Sequence, residues 1–234
     1  MERQQATQAA ELQGTPGSVS RIIALPDAWP DSLDFRRPWH LWVFLRKTLM
    51  RRLEKVRLPE GLSLRVPLPR YLLLEFHNLP NGNYSKKITH GYSTGFDIAM
   101  QGEMQRGRAL LADVFRGCQR VLDVGCGAGA STAALKQVGV PEVTGLDASP
   151  YLLEHAGQRY PELDFLQGLA EDTRLVSGDY DGISACFLFH ELPPRYGDAA
   201  LNEFNRLLQP GGKLAILEPA AEQYNGKSWA LFRK

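Results

Sequence analysis

The 234-residue chain has only three cysteines, Cys118, Cys126 and Cys186. They are odd in number and lack paired spacing, which argues against a disulfide framework and against a zinc site. A reduced, cytoplasmic setting follows, with no metal called for. No apolar run approaches the roughly 20 residues that a membrane-spanning helix needs. Residues 1–20, rich in Gln, Ala, Gly and Ser, have no apolar core of the signal-peptide kind and read as a mobile tail. Neither charge sign is in excess: 27 Lys and Arg against 26 Asp and Glu give a net +1. A broad phosphate-binding surface, and with it a nucleic-acid partner, is therefore not expected. There is no internal repeat. The apolar content, 44%, suits a sizeable core in one large domain, or one domain with an appendage.

The most informative stretch is Val121-Leu122-Asp123-Val124-Gly125-Cys126-Gly127-Ala128-Gly129-Ala130, an apolar strand running into a glycine-rich turn. Glycines at alternate positions let the backbone turn sharply and approach a ligand with no Cβ in the way. Such a turn alone is shared by many nucleotide folds. Asp123 narrows the choice, because a fixed carboxylate would repel the anionic pyrophosphate of a dinucleotide. It suits a ligand with a cationic end, such as the ammonium and sulfonium of S-adenosyl-L-methionine. Twenty residues past Gly127, Asp147 closes a second strand, where an acid can accept hydrogen bonds from ribose hydroxyls. Ser149 and Pro150 then open a helix as cap and first residue.

Strands at 121–124, 143–147, 164–167, 181–187 and 213–217 alternate with helices near 130–138, 150–159 and 198–208. A longer helix is predicted over 96–115, capped by Ser93 or Thr94. That order predicts an α/β fold with a mostly parallel, Rossmann-like sheet covered by helices on both faces. Upstream, 62–66 alternates like a strand and 70–76 is a second strand candidate, so a helical and hairpin extension is expected. The divisions are a tail at 1–20, an N-terminal extension or substrate cap at 21–94, and a ligand-binding domain at 95–234.

Over roughly residues 90–219 this pattern resembles the class I S-adenosylmethionine-dependent methyltransferases, including their small-molecule and quinone branch. The resemblance implies methyl transfer to a small-molecule or lipid-like metabolite by in-line displacement. It also implies that Gly125, Gly127 and Gly129 let the backbone approach the cofactor. Asp123 would sit near its amino group and Asp147 on its ribose, with Leu146 and Ala148 beside the adenine. Gln167-Gly168-Leu169-Ala170-Glu171-Asp172 is similar to the family's adenine-contacting turn. Leu169 stands where an acid is usual, which leaves the backbone at Ala170 and the side chains of Glu171 or Asp172 to serve. After the fourth strand, Phe187 lies beside the cofactor. His190, polarised by Glu191, either acts on a substrate proton or packs over the cofactor. Tyr92, His90 and Tyr84 are candidates for a lid. The turn and strand at 209–219 also fit the family. In relatives an antiparallel strand pair follows; here either the sheet edge is covered another way in a shortened variant, or, the reading preferred, residues 62–76 fill those edge positions.

Rival readings are weaker. A nicotinamide oxidoreductase is disfavoured by Asp123 and by Pro210-Gly211-Gly212. A base-amino methyltransferase carries Asn or Asp, two prolines and an aromatic after the fourth strand, whereas here Leu192-Pro193-Pro194-Arg195 lies further along. A nucleic-acid or protein methyltransferase, or a non-catalytic methyltransferase-like module that regulates a partner, remains as the alternative. Residues 36–57 hold eight basic residues and one acid, with Trp42, Leu45, Leu49, Leu53 and Val56 at helical spacing. This basic amphipathic stretch either packs its apolar side on the domain or contacts a membrane surface or an acidic partner.

Overall fold

The computed structural model describes residues 25–49, 54–75 and 79–219. Five strands form one parallel sheet: β1 Arg120–Val124, β2 Glu142–Asp147, β3 Asp164–Gln167, β4 Tyr180–Cys186 and β5 Leu208–Leu217, in the order β3-β2-β1-β4-β5. Helices alternate with them: α1 Pro38–Leu49, α2 Lys86–Ala99, α3 Glu103–Asp113, α4 Ala130–Gln137, α5 Pro150–Arg159 and α6 Pro194–Leu207.

The β1 side chains alternate between two apolar layers. Val121 packs with Leu111, Phe115, Leu135 and Val143 beneath α3 and α4. Leu122 and Val124 pack with Ile183, Phe204 and Leu207 beneath α6. Both faces of the central strand are buried, as a parallel sheet with helices on each side requires. The chain moves outward from β1 to β2 to β3, then crosses to the other side for β4 and β5. The carboxyl ends of β1 and β4 therefore meet at the point where strand order reverses, the place where open α/β sheets bind ligands.

The sheet agrees with the predicted strands, with β5 longer than expected. Tyr180 pairs with Leu208 and Gly182 with Lys213, so Gln209-Pro210-Gly211-Gly212 bulges out of the register. Three expectations fail. The single helix over 96–115 is two helices, α2 and α3, broken where Gln101 and Gly102 take φ of 50° and 85°. Residues 62–75 form no strand and do not fill the sheet edge. They are extended backbone with a 3-10 turn at Arg70–Leu73, and a lone antiparallel bridge joins Lys55 to Leu74. They lie over the carboxyl end of β3 instead, held by Gln167. Among the described residues the outer edge of β5 has no partner strand. Among the described residues the basic stretch is helical over Pro38–Leu49 and non-helical from Glu54 to Arg57. Val56 is buried in extended chain, its N–H donating to the Leu73 carbonyl at 3.0 Å, and Leu53 lies outside the described residues.

The N-terminal segments also grip the rest of the chain through Asp31 and through Tyr151. Asp31 accepts from Ser85 Oγ at 2.7 Å and from the backbone N–H groups of Lys86 and Lys87 at 3.2 and 2.8 Å, satisfying orphan donors at the start of α2. Tyr151 of α5 is buried with Val56 and Tyr84, and its hydroxyl donates to the Pro26 carbonyl at 2.7 Å.

Candidate functional site

The glycine turn leaves β1 with φ of 72° at Gly125, 54° at Gly127 and 83° at Gly129, a region that other residues enter at a cost. A Cβ on Gly129 would come within 2.8 Å of the Phe165 ring, whereas one on Gly127 would meet nothing within 4 Å. The first glycine named is needed for packing and the second faces open space, as a ligand cradle requires.

Two acids hold this turn. Asp147, at the tip of β2, accepts from Gly127 N–H through Oδ2 at 2.9 Å and from Ser149 N–H through Oδ1 at 2.8 Å. Burial raises its pKa to about 6. The two backbone donors oppose that rise, and the charges of Glu191 and Asp123 add to it. Asp123 is fully buried, and its Oδ2 accepts from Ser131 Oγ at 2.6 Å and Thr132 Oγ1 at 2.8 Å. Its other oxygen, Oδ1, is buried with no hydrogen-bond partner. Desolvation raises the Asp123 pKa, with the hydroxyls of Ser131, Thr132 and Ser184, its neighbour across on β4, working against it. Asp123 thus pins the turn to the first residues of α4, a role the sequence spacing to Ser131 and Thr132 carries but does not announce. An orphaned carboxylate oxygen, a second acid and open backbone at Gly127 fit a ligand with a cationic end and hydroxyls. They do not fit a pyrophosphate.

Beside β3, Gln167 bridges the sheet to the cap. Its Oε1 accepts from Val66 N–H at 2.8 Å, and its Nε2 donates to the carbonyls of Val66 and Ala148 at 3.3 and 3.2 Å. Ala170 is buried among the α6-side core residues. Glu171 accepts from Tyr71 OH at 3.0 Å on both oxygens, and burial raises its pKa. Asp172 is exposed and paired with Arg174 at 3.5 Å. Tyr71 also packs on Tyr196 of α6, ring centroids 4.3 Å apart. Tyr71 and Tyr196 carry no motif by which the sequence would reveal them, and the motif that contains Gln167 does not announce this bridging role.

After β4, Phe187 adopts φ of 59°, strained for an aromatic residue, and its N–H donates to the Leu217 carbonyl at 2.8 Å. Its ring meets His190 edge-on at 5.9 Å. His190 Nδ1 lies 2.8 Å from Glu218 Oε2, and its Nε2 lies 3.9 Å from Glu191 Oε1. Glu218 Oε1 accepts from Phe189 N–H at 2.6 Å. The nearer carboxylate partner of His190 is therefore Glu218, just past β5, rather than its neighbour Glu191. The Glu191 charge instead raises the pKa of Asp147 and, behind the larger effect of burial, those of Tyr92 and Tyr84. These three groups thus share one electrostatic environment with it. Cys186 is buried, with its thiol pushed up to about 12 chiefly by desolvation, which makes it inert packing.

His90 does not join Tyr84 and Tyr92. It turns to His155 of α5, Nδ1 to Nδ1 at 3.4 Å, in a separate cleft of about 520 Å³ between α2, α3 and α5. Among the described residues no cluster of three His, Cys, Asp or Glu side chains could hold a metal ion, and no helix is long and apolar enough to cross a membrane.

Comparison with known proteins agrees with this geometry. Residues 121–212 match the family model described as a methyltransferase domain. This part of the chain thus carries the sequence pattern of a methyltransferase domain on a five-stranded, Rossmann-like sheet. An uncharacterized methyltransferase of Synechocystis is 38% identical over 100 residues, 43% of this chain and 47% of that protein. The demethylmenaquinone methyltransferase of Chlorobaculum tepidum is 35% identical over 102 residues, 43% of this chain and 40% of the relative. The match to this chain thus spans less than half the length of either relative. The structure of DesVI from Streptomyces venezuelae shares the fold at a TM-score of 0.50 and 24% identity, covering 56% of this chain and 57% of that one.

Proposed function

We propose that the protein transfers the methyl group of S-adenosyl-L-methionine to a small-molecule or lipid-like metabolite. The observation that carries this reading is the pair of acids on the glycine turn: Asp147 spanning Gly127 and Ser149, and Asp123 with one buried oxygen unpaired. The demethylmenaquinone methyltransferases among the relatives favour an aromatic, quinone-like acceptor.

The bound cofactor supplies a methyl carbon already activated by its sulfonium. The residues of this chain then have three tasks. Asp147, already oriented by two backbone N–H groups, accepts from ribose hydroxyls with its remaining lone pairs. Asp123 and the open backbone at Gly127 set a negative, close-fitting wall for the amino-acid end. His190, oriented through Nδ1 by Glu218, presents Nε2 to take a proton from the acceptor as its nucleophilic atom bonds to the methyl carbon. The carbon–sulfur bond breaks in the same step and its electron pair stays on sulfur. Tyr71 and Tyr84, on the cap, and Tyr92, in α2, screen the site from water. Alignment and exclusion of water are the main protein contributions in such a displacement.

Calorimetric titration tests the reading. Micromolar binding of S-adenosylmethionine and its demethylated product, with no binding of NADH, is expected. A screen with labelled methyl groups and demethylated quinones follows. Binding of NADH alone would overturn the cofactor assignment.

A further inference from the structure

The helix α1 presents a largely exposed apolar face. Trp39 is 67% exposed, Trp42 49%, Leu45 44% and Leu41 41%. At 3.6 residues per turn these four fall on one side of the helix, with Arg46 between them. The opposite side is the one that packs: Phe44 meets Phe35 edge-on at 5.2 Å, and His40 Nδ1 accepts from Asp34 N–H at 2.9 Å. Trp39 and Trp42 stack on each other at 5.0 Å, with the Arg46 guanidinium 5.2 Å above the Trp42 ring. Four large apolar side chains presented together to water are costly unless something covers them.

Charge decides what covers them. Arg36, Arg37 and Arg46 are exposed on or beside this helix, and the sequence continues with Lys47, Arg51 and Arg52 before any acid appears at Glu54. The acid nearest in sequence, Asp34, is engaged locally, with Arg37 at 3.6 Å and with the Arg36 N–H. A second copy of the chain would bring the same cluster of positive charge against itself. An anionic bilayer surface answers both features. Tryptophans settle at the headgroup level, leucines reach the acyl boundary, and arginines pair with lipid phosphates.

We propose that α1 is an interfacial anchor that lays its Trp39–Trp42–Leu45 face in an anionic lipid surface, without spanning it. The anchor is independent of the methyl-transfer reading, since none of its residues lies at the glycine turn.

The test is sedimentation of the full chain with phosphatidylcholine vesicles, with and without a quarter of phosphatidylglycerol. Binding to the anionic vesicles about tenfold tighter than to the neutral ones is expected, weakening as salt is raised. Trp39→Ala with Trp42→Ala, and separately Arg36→Glu with Arg46→Glu, should each lower that binding about tenfold. Titration with S-adenosylmethionine on the same variants reports the other site and should be unchanged. Equal binding to both vesicle types, no binding, or binding indifferent to either variant would overturn the anchor. So would self-association in sedimentation velocity that the tryptophan variant abolishes while vesicles are ignored, which would give the face to a second copy.

Discussion

Glu218 holds His190: Oε2 of the first lies 2.8 Å from Nδ1 of the second, while the other carboxylate oxygen accepts from Phe189 N–H. The end of β5 thereby fixes the loop after β4, and in the proposed mechanism Nε2 is the nitrogen that takes the proton. Replacing His190 with Ala should cut turnover about a hundredfold with cofactor affinity little changed. Glu218→Gln keeps an acceptor for Phe189 N–H but loses the charge, so it should cost turnover about tenfold or more. Single-turnover methyl transfer beside calorimetry separates the two quantities. Full turnover in His190→Ala would leave the histidine a packing role.

Asp147 makes two backbone bonds before any ligand arrives, so its substitution acts twice. Asp147→Ala removes the proposed ribose acceptor and frees the Gly127 and Ser149 N–H groups. With hydrogen bonds to a charged group each contributing about 1.5–3 kcal/mol, cofactor affinity should fall by about a hundredfold or more. Unchanged affinity in this variant would show that the cofactor sits elsewhere.

The same carboxyl gives the site a pH dependence. Its pKa in the folded protein is raised to about 6, mainly by burial. Only the ionised form accepts from two ribose hydroxyls, so cofactor affinity should climb as pH rises through about 6 and then level off. Stability of the free protein responds with the opposite sign. The folded state binds this proton more tightly than the unfolded state does. The contribution is therefore complete below the ordinary aspartate value of 3.8 and is lost as pH rises to about 6. Asp147→Asn should flatten both curves, which calorimetry and thermal unfolding across that range would register. A pH-independent affinity in the unsubstituted protein would break the link.

Local pattern made the sheet legible. Val121-Leu122-Asp123-Val124 followed by alternate glycines encodes a buried strand and a turn with positive φ, and Ser149-Pro150 encodes a helix start. In the structure Ser149 Oγ accepts from Leu152 N–H at 3.2 Å, as a cap should. The cap region was illegible for a physical reason. The alternation of Leu62, Leu64 and Val66 is one-sided burial without pairing in a sheet, and Pro67 and Pro69 deny the backbone donors a ladder needs. The break between α2 and α3 turns on left-handed φ at Gln101 as well as Gly102, and glutamine gives no such signal. At the site, Asp123, Gly127 and Asp147 follow from spacing within one βαβ unit. Glu218 and Gln167 depend on contacts between distant strands and loops, which no local window contains.

Gln167 is one of the residues that tie the cap to the sheet, and it makes three hydrogen bonds with one side chain. Its amide meets Val66 at both N–H and carbonyl and also reaches the Ala148 carbonyl next to Asp147. Arg65 adds a bond to the Gln167 carbonyl at 3.1 Å, so the tie is to the segment around Val66 and not to a single atom. Val66 is 1% exposed, and its N–H would be left unpaired in a buried place by Gln167→Ala. Leaving a buried group unsatisfied costs about 1–3 kcal/mol. The variant should lose stability on that order in urea unfolding. Amide exchange should speed up across residues 62–74 while β1 and β4 stay protected, because the core strands do not touch the lost contacts. Cofactor affinity should drop only several-fold, since Asp147 and the glycine turn are intact. Exchange that accelerates equally in the cap and the sheet would mean that the two unfold as one unit and that Gln167 is no separate latch.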